Sequence, residues 1–223
     1  MHKSLLFISL SLLFLNHTVL AQSHKEAGFF AGTSYYIGDI NPTRQFYDPS
    51  SSIGVLAKYF LNDRHCIRFS GFYGQFRGRD KDFSNEFQQA RNKSFSTSLV
   101  DFSLTYEFNF LPFTYNDRKT IFSPYLFGGV GYDIVTQSQY PIGNHLSIPF
   151  GTGIKYLASR KITLGLEWSF RKTFQDNMDG VESAGLPAEK SLISNKDWYS
   201  FAGFFITFRL FDNTGNCPVY PNK

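Results

Sequence analysis

The chain repeats short segments in which apolar and polar residues strictly alternate. In the clearest segment, residues 100–110, one set is apolar: Val100, Phe102, Leu104, Tyr106, Phe108 and Phe110. The set between them is polar: Asp101, Ser103, Thr105, Glu107 and Asn109. Successive side chains of a β-strand point to opposite faces. The pattern therefore predicts a strand with one apolar and one polar face.

The same alternation predicts eight strands, near residues 28–40, 53–61, 66–76, 95–110, 124–135, 146–157, 162–172 and 198–210. Beyond the N-terminal segment, no apolar run reaches the ~18 residues that a membrane helix needs. A protein that crosses a membrane without such helices must be a closed barrel. The sequence predicts an all-β fold, an eight-stranded antiparallel up-and-down transmembrane β-barrel.

The connections between these strands differ in length. Residues 62–65 and 158–161 are tight turns and 111–123 are intermediate, whereas the long polar connections are 41–52, 77–94, 136–145 and 173–197. Outer-membrane barrels have short periplasmic turns and long external loops. The pattern predicts an outer-membrane location with both termini in the periplasm.

The first residues are typical of an export signal. Lys3 precedes an apolar stretch, residues 5–15, and small residues end at Ala21, so we expect cleavage after Ala21. The expected domains are a signal peptide (1–21), a barrel (22–210) and a periplasmic C-terminal tail (211–223).

Composition agrees with an alternating membrane barrel. Aromatic residues make up 18% of the chain, and the mean hydropathy is slightly negative at −0.23, as expected when half of each strand faces a polar interior. A soluble jelly roll can share this composition, but here the aromatic residues concentrate on the apolar face. The net charge of +4 is scattered, which argues against a nucleic-acid partner.

The polar faces predict a charged barrel interior with five basic and four acidic side chains. They are Lys58, Arg68, Lys155, Arg171 and Arg209, and Asp101, Glu107, Asp133 and Glu167. An eight-stranded barrel is just wide enough for side chains to fill it, and unpaired buried charges are costly. We therefore expect the interior charges to be paired and the barrel not to be a diffusion pore. One ion pair is expected between Arg68 and Glu107.

Signals for catalysis or cofactors are weak. His145 and Ser147 resemble a lipid-cleaving pair, but Ser147 is in phase with the inward set. Asp176, Asp179 and Glu182 lack the spacing of a calcium loop. No catalytic, cofactor-binding or metal-binding residue, no cofactor and no small-molecule substrate are predicted.

The expected periplasmic side is basic. Arg64, Arg118, Lys119, Arg160 and Lys161 lie in its turns. This pattern fits either a solvated rim or a docking surface for an acidic periplasmic partner.

The two cysteines are Cys66, near the periplasmic end of the third strand, and Cys217, in the tail. Because the periplasm is oxidising, they are candidates for a disulfide. Two unpaired thiols are the alternative.

Several segments resemble the PorG-like outer-membrane barrels of Bacteroidota, in the order in which that family has them. They are residues 34–42 (SYYIGDINP), 104–112 (LTYEFNFLP), 122–131 (FSPYLFGGVG), 147–156 (SIPFGTGIKY), 164–174 (LGLEWSFRKTF) and 197–203 (DWYSFAG). The short third outer loop departs from the family pattern.

The resemblance implies a non-catalytic outer-membrane subunit of a type IX protein secretion system. Such a subunit is associated with a periplasmic ring built from a lipoprotein and its partner, and gliding motility is a process linked to the system. The alternatives are a stand-alone barrel with an envelope-stabilising or adhesive role, and a lipid-modifying enzyme, which the inward facing of Ser147 disfavours.

Overall fold

The computed structural model of the protein describes residues 24–38, 41, 44–83, 89, 94–114, 120–138, 143–174 and 198–210. Eight antiparallel strands form a closed barrel in sequence order. They are β1 (His24–Ile37), β2 (Ser50–Phe60), β3 (His65–Arg79), β4 (Ser94–Asn109), β5 (Phe122–Ser138), β6 (His145–Ser159), β7 (Ile162–Thr173) and β8 (Trp198–Leu210).

The barrel closes where β8 pairs with β1, from Lys25 opposite Leu210 to Ile37 opposite Trp198. Each remaining strand pairs with its neighbours in sequence, so the predicted fold class is confirmed. Among the described residues, no helix is long and apolar enough to span a bilayer.

Strand β1 differs most from its predicted bounds. It begins at His24 rather than residue 28, and ends at Ile37 rather than residue 40. It ends early because the Asn41 side-chain amide donates to the Tyr36 carbonyl (2.7 Å) and the Gly38 amide donates to the Asn41 carbonyl (3.1 Å). These bonds turn the chain out of the sheet.

Burial alternates along the strands as the sequence predicts. On β4, Asp101 and Glu107 are fully buried whereas Leu104 between them is half exposed. The outer wall is largely apolar, with Ile53 63% and Phe204 69% exposed. The barrel therefore has a largely apolar outer wall, and its interior holds buried charged and polar residues together with buried aromatic rings.

The two ends of the barrel differ. At one, here called the turn end, a short turn joins β2 to β3, a second joins β6 to β7, and β1 begins and β8 ends. The other is the loop end. At the turn end, Phe113 of the β4–β5 connection packs with Phe60 and Cys66 inside the barrel, and its amide donates to the Asp63 carbonyl (2.9 Å). Phe113 therefore covers part of the turn end from inside, and this contact is here called the Phe113 floor.

Aromatic rings also fill the middle of the barrel, so the expectation that they concentrate on the outward face is wrong. Phe72 stacks on Phe30 at 4.5 Å between ring centroids and meets Phe201 edge-on at 5.4 Å. Phe76 contacts both Phe201 and, towards the loop end, Tyr199, whose ring centroid lies 4.9 Å from that of Phe76. Because aromatic side chains bury large apolar areas, this column occupies space that would otherwise be a channel.

We predict that Gly129→Ala destabilises the barrel and that Gly128→Ala, its neighbour on β5, does not. A Cβ at Gly129 would lie 2.1 Å from the Leu104 carbonyl oxygen, whereas one at Gly128 would meet nothing closer than 3.9 Å. Forcing the strands apart should lower the free energy of unfolding by about 1–3 kcal/mol. Urea titration with a gel-shift readout of folded barrel measures it. Equal midpoints for the two variants would contradict this close packing.

Candidate functional site: a buried charge network and a basic turn end

Glu107 of β4 lies at the centre of a charge cluster near the turn end. Its carboxylate contacts the Lys58 ammonium at 3.2 Å from β2 and the Lys155 ammonium from β6. All three side-chain ends are fully buried. Alternation places these residues inward from three strands, and the narrow lumen brings them together. One carboxylate thus compensates two buried cations.

Aromatic faces supply further compensation for the two lysines. The Lys58 ammonium lies 4.3 Å from the Phe205 ring centroid, and the Lys155 ammonium lies 4.8 Å from Tyr125 and 4.9 Å from Phe60. Ring faces carry negative electrostatic potential and attract cations, most strongly away from water. The excess positive charge of this cluster is therefore surrounded by π faces.

Arg68 forms its ion pair with Glu167 of β7, across the lumen. Its Nη2 donates to Glu167 Oε1 at 2.9 Å, Nη1 donates to the other oxygen, and the Tyr125 hydroxyl donates to that same oxygen at 2.7 Å. The expected pair with Glu107 is therefore wrong. Arg68 is opposite Thr105, whereas Glu107 is opposite Cys66, and Glu107 is occupied by the lysines.

A third cluster lies closer to the loop end. Asp101 of β4 accepts from Arg171 Nε (3.2 Å), from the Tyr199 hydroxyl (3.1 Å) and from Ser103 (3.2 Å). Asp101 and Arg171 are fully buried. This cluster connects β4, β7 and β8 across the lumen.

His145 and Ser147 belong to the interior rather than to the rim. Both are buried, and both contact Asp133: His145 Nε2 lies 3.2 Å from Oδ2, and the Ser147 hydroxyl donates to Oδ1 at 3.2 Å. A lipid-cleaving site would have to face the bilayer, whereas this group faces the lumen. Its geometry favours a structural role.

Two buried acids were not predicted from the sequence, Asp80 after the end of β3 and Glu26 on β1. Glu26 is the one that lies within the barrel wall. It is 1% exposed, accepts from the Thr207 hydroxyl at 2.6 Å, and lies opposite Lys58 on β2 and half-buried Arg209 on β8. The available signal was the alternation of residues 24–30, where buried His24, Glu26 and Phe30 share a face. The predicted start of β1 at residue 28 excluded it.

Three of the predicted rim residues are exposed at the turn end: Arg64, Arg160 and Lys161. Arg64 Nη1 also donates to the Phe110 carbonyl at 2.7 Å, which fixes the β2–β3 turn to the next connection. Arg118 and Lys119 lie outside the described residues.

The remaining sequence predictions involve residues of which some or all lie outside the part of the chain that the structure describes. Cys66 is a buried free thiol among the described residues, but Cys217 lies outside them, so the disulfide stays a prediction. The signal peptide, the tail and the segment with Asp176, Asp179 and Glu182 also lie outside. Within the described ranges, no cluster of three or more His, Cys, Asp or Glu could hold a metal ion.

Two connections interlock at the loop end. The Tyr47 hydroxyl of the β1–β2 loop donates to Asp82 Oδ2 at 2.5 Å, and its ring lies 5.0 Å from Phe83. Arg44 lies over the same Phe83 ring at 4.9 Å and donates to the Asp82 carbonyl. Partial burial and the Asp82 carboxylate raise the pKa of Tyr47 above its ordinary value.

We predict that Glu107→Gln lowers the free energy of unfolding by about 3–5 kcal/mol, because it leaves two buried lysines without their carboxylate. Adding Lys58→Met should recover part of the loss by removing one uncompensated cation. Asp63→Asn removes an acid from the exposed turn and is the matched control, expected within about 0.5 kcal/mol of the parent. Urea unfolding in detergent measures all four proteins. A Glu107→Gln barrel as stable as the control would contradict the cluster.

We predict that Tyr47→Phe loosens the loop end without unfolding the barrel. Loss of the hydrogen bond to Asp82 should increase the hydrogen-exchange rate of residues 44–49 and 80–83 by about 3–10-fold. The neutral Tyr47 hydroxyl is the donor, and its pKa is raised, so in the parent protein the hydrogen bond to Asp82 is fully present below pH ~10. It is lost only when the pH rises through the raised pKa of Tyr47. Exchange that is unchanged by the substitution would contradict the interlock.

Comparison with known proteins gives a family and several similar folds. No curated protein matches this sequence. Among solved structures, Neisserial surface protein A is 11% identical with a TM-score of 0.49, covering 85% of this chain and 98% of that one. The N-terminal barrel of Pseudomonas aeruginosa OprF is 14% identical with a TM-score of 0.46, covering 85% and 98%.

The outer membrane protein OprG of Pseudomonas aeruginosa is 12% identical with a TM-score of 0.45, covering 86% of this chain and 97% of that one. Because these TM-scores are below 0.5, the assignment of eight strands rests on the strand pairing of this chain itself. A family match covers residues 3–220, nearly the whole sequence. The chain belongs to the family described as Domain of unknown function (DUF6089).

Proposed function

We propose that this protein is a non-catalytic outer-membrane barrel that attaches a periplasmic complex to the membrane. The apolar outer wall, with Ile53, Val130 and Phe204 each more than 60% exposed, supports a lipid environment. In the proposed orientation the turn end faces the periplasm and the loop end faces outward, after export and signal cleavage following Ala21.

The observation that carries the proposal is the filled interior. Glu107, Glu167 and Asp101 each compensate a buried cation, and the Phe113 floor covers part of the turn end. In the described part of the barrel, paired charges and aromatic rings occupy the lumen, which argues against a continuous aqueous path. This supports an anchoring role over transport, and leaves the outer wall and the two ends as surfaces for function.

The basic turn end is the proposed docking surface. Arg64, Arg160 and Lys161 are exposed there beside Asp63, and electrostatic complementarity of such rims guides association and orientation. Together with the resemblance to PorG-like barrels, this leads to the finer proposal of a type IX secretion subunit. Its partners would be the ring lipoprotein and that protein's own partner.

A stand-alone barrel with an envelope-stabilising or adhesive role is the second candidate. The interlocked loop end favours it, because Tyr47, Asp82 and Phe83 join the described parts of two connections. A barrel of this kind would purify alone from mild detergent.

We predict that replacing Arg64, Arg118, Lys119, Arg160 and Lys161 by Ser reduces recovery of the ring lipoprotein with the tagged barrel by about tenfold. The expected loss reflects rim charges that attract an acidic partner, each contributing about 1 kcal/mol or less near the surface. Co-purification in mild detergent at physiological salt, quantified by mass spectrometry, measures it.

The matched control replaces basic residues at the opposite end, Arg77, Arg79 and Lys81, by Ser. Recovery with this control should equal that of the parent, and both variants should keep the heat-modifiable gel migration of a folded barrel. If the parent barrel recovers no ring component, the secretion role is wrong. If both variants recover it equally, the basic turn end is not the docking surface.

A further inference from the structure

A groove crosses the apolar outer wall near the turn end. Ala27 of β1 lies opposite Ala57 of β2, and the same row continues to Phe208 on β8 and Phe69 on β3. Neighbouring side chains in such a row are about 4.5–5.5 Å apart. Two methyl groups therefore lie between two aromatic rings, and the depression has a volume of about 410 Å³.

The groove runs along the strands as well as across them. It extends from Leu210, at the turn end, to Phe29 and Val55 nearer the middle of the wall. The lining side chains are all apolar. Its volume falls within the range of about 300–1,000 Å³ that small-molecule sites occupy. The shape suits a slender apolar chain aligned with the barrel wall.

The mouth of the groove at the turn end is positively charged. Lys25 lies two residues before Ala27 on the same outward face, opposite Leu210, with its ammonium 5.8 Å from the Tyr59 ring centroid. Exposed Lys161 is next to the end of β8, because its carbonyl accepts from the Arg209 amide at 2.9 Å. An apolar groove that ends at cationic side chains is complementary to an anionic phospholipid, whose apolar chain ends at a negatively charged headgroup.

We propose that this groove binds one acyl chain of an anionic phospholipid from the leaflet at the turn end, with the lipid phosphate at Lys25. The proposal rests on the membrane placement given above. Long basic side chains at a membrane surface hold their charge at headgroup level while their stems cover apolar surface. Lys25 has this arrangement over Tyr59. The Phe–Ala–Ala–Phe row would fix the chain, and Lys25 would select the headgroup.

The headgroup is tested by native mass spectrometry of the mature protein, folded in detergent and titrated with phosphatidylglycerol or phosphatidylcholine. We expect the parent to retain phosphatidylglycerol in preference to phosphatidylcholine. Lys25→Gln should weaken phosphatidylglycerol binding about fivefold, the effect of one basic residue near an anionic surface. Equal binding of the two lipids by the parent, or no change in Lys25→Gln, would overturn the assignment of Lys25.

The groove itself is tested by filling it. Ala57→Phe should abolish the retained lipid, whereas Ala31→Phe, an exposed outward position on β1 that does not line the groove, should keep it. Ala27→Leu is a second filling variant if Ala57→Phe does not fold. Equal lipid retention in filled and control variants overturns the groove while leaving the membrane barrel intact. Failure of the parent to insert into liposomes overturns the membrane placement, and this proposal with it.

Discussion

Compensation of buried charge inside a narrow barrel is the constraint on which this structure depends. Closing eight strands leaves an interior that side chains must fill, and taking a charge out of water costs several kcal/mol unless it is paired. Among the described residues, four fully or almost fully buried cations meet carboxylates across the lumen: Lys58, Arg68, Lys155 and Arg171. These contacts connect β2, β3 and β6 with strands that are not their neighbours.

The compensated interior determines where function can lie. Aromatic rings around Phe72 and Phe201 occupy the space between the charge clusters, and the Phe113 floor covers part of the turn end. The surfaces that remain are the apolar outer wall, the basic turn end and the interlocked loop end. In the proposed function, lipid contact, docking and an external role would therefore fall on separate surfaces of the barrel.

Much of this fold could be predicted from the sequence because a strand has a side-chain period of two. Alternation alone gave the eight strands and the facing of residues such as Leu104 and Glu107. Alternation could not identify the ion-pair partner of Arg68, because strand register specifies only which residues are adjacent in the barrel wall. A long side chain reaches across the lumen to a strand whose relative height depends on barrel tilt. Glu26 was missed for a local reason, since the predicted start of β1 at residue 28 left out residues 24–27.

Conductance in planar lipid bilayers tests the central claim most directly, since a filled interior is what separates an anchoring barrel from a pore. The purified mature protein, inserted at known density, should give no stepwise current at either polarity in 1 M potassium chloride. A small porin inserted in the same way provides the positive control. Reproducible single-channel steps from the parent protein would show a continuous aqueous path and contradict the account.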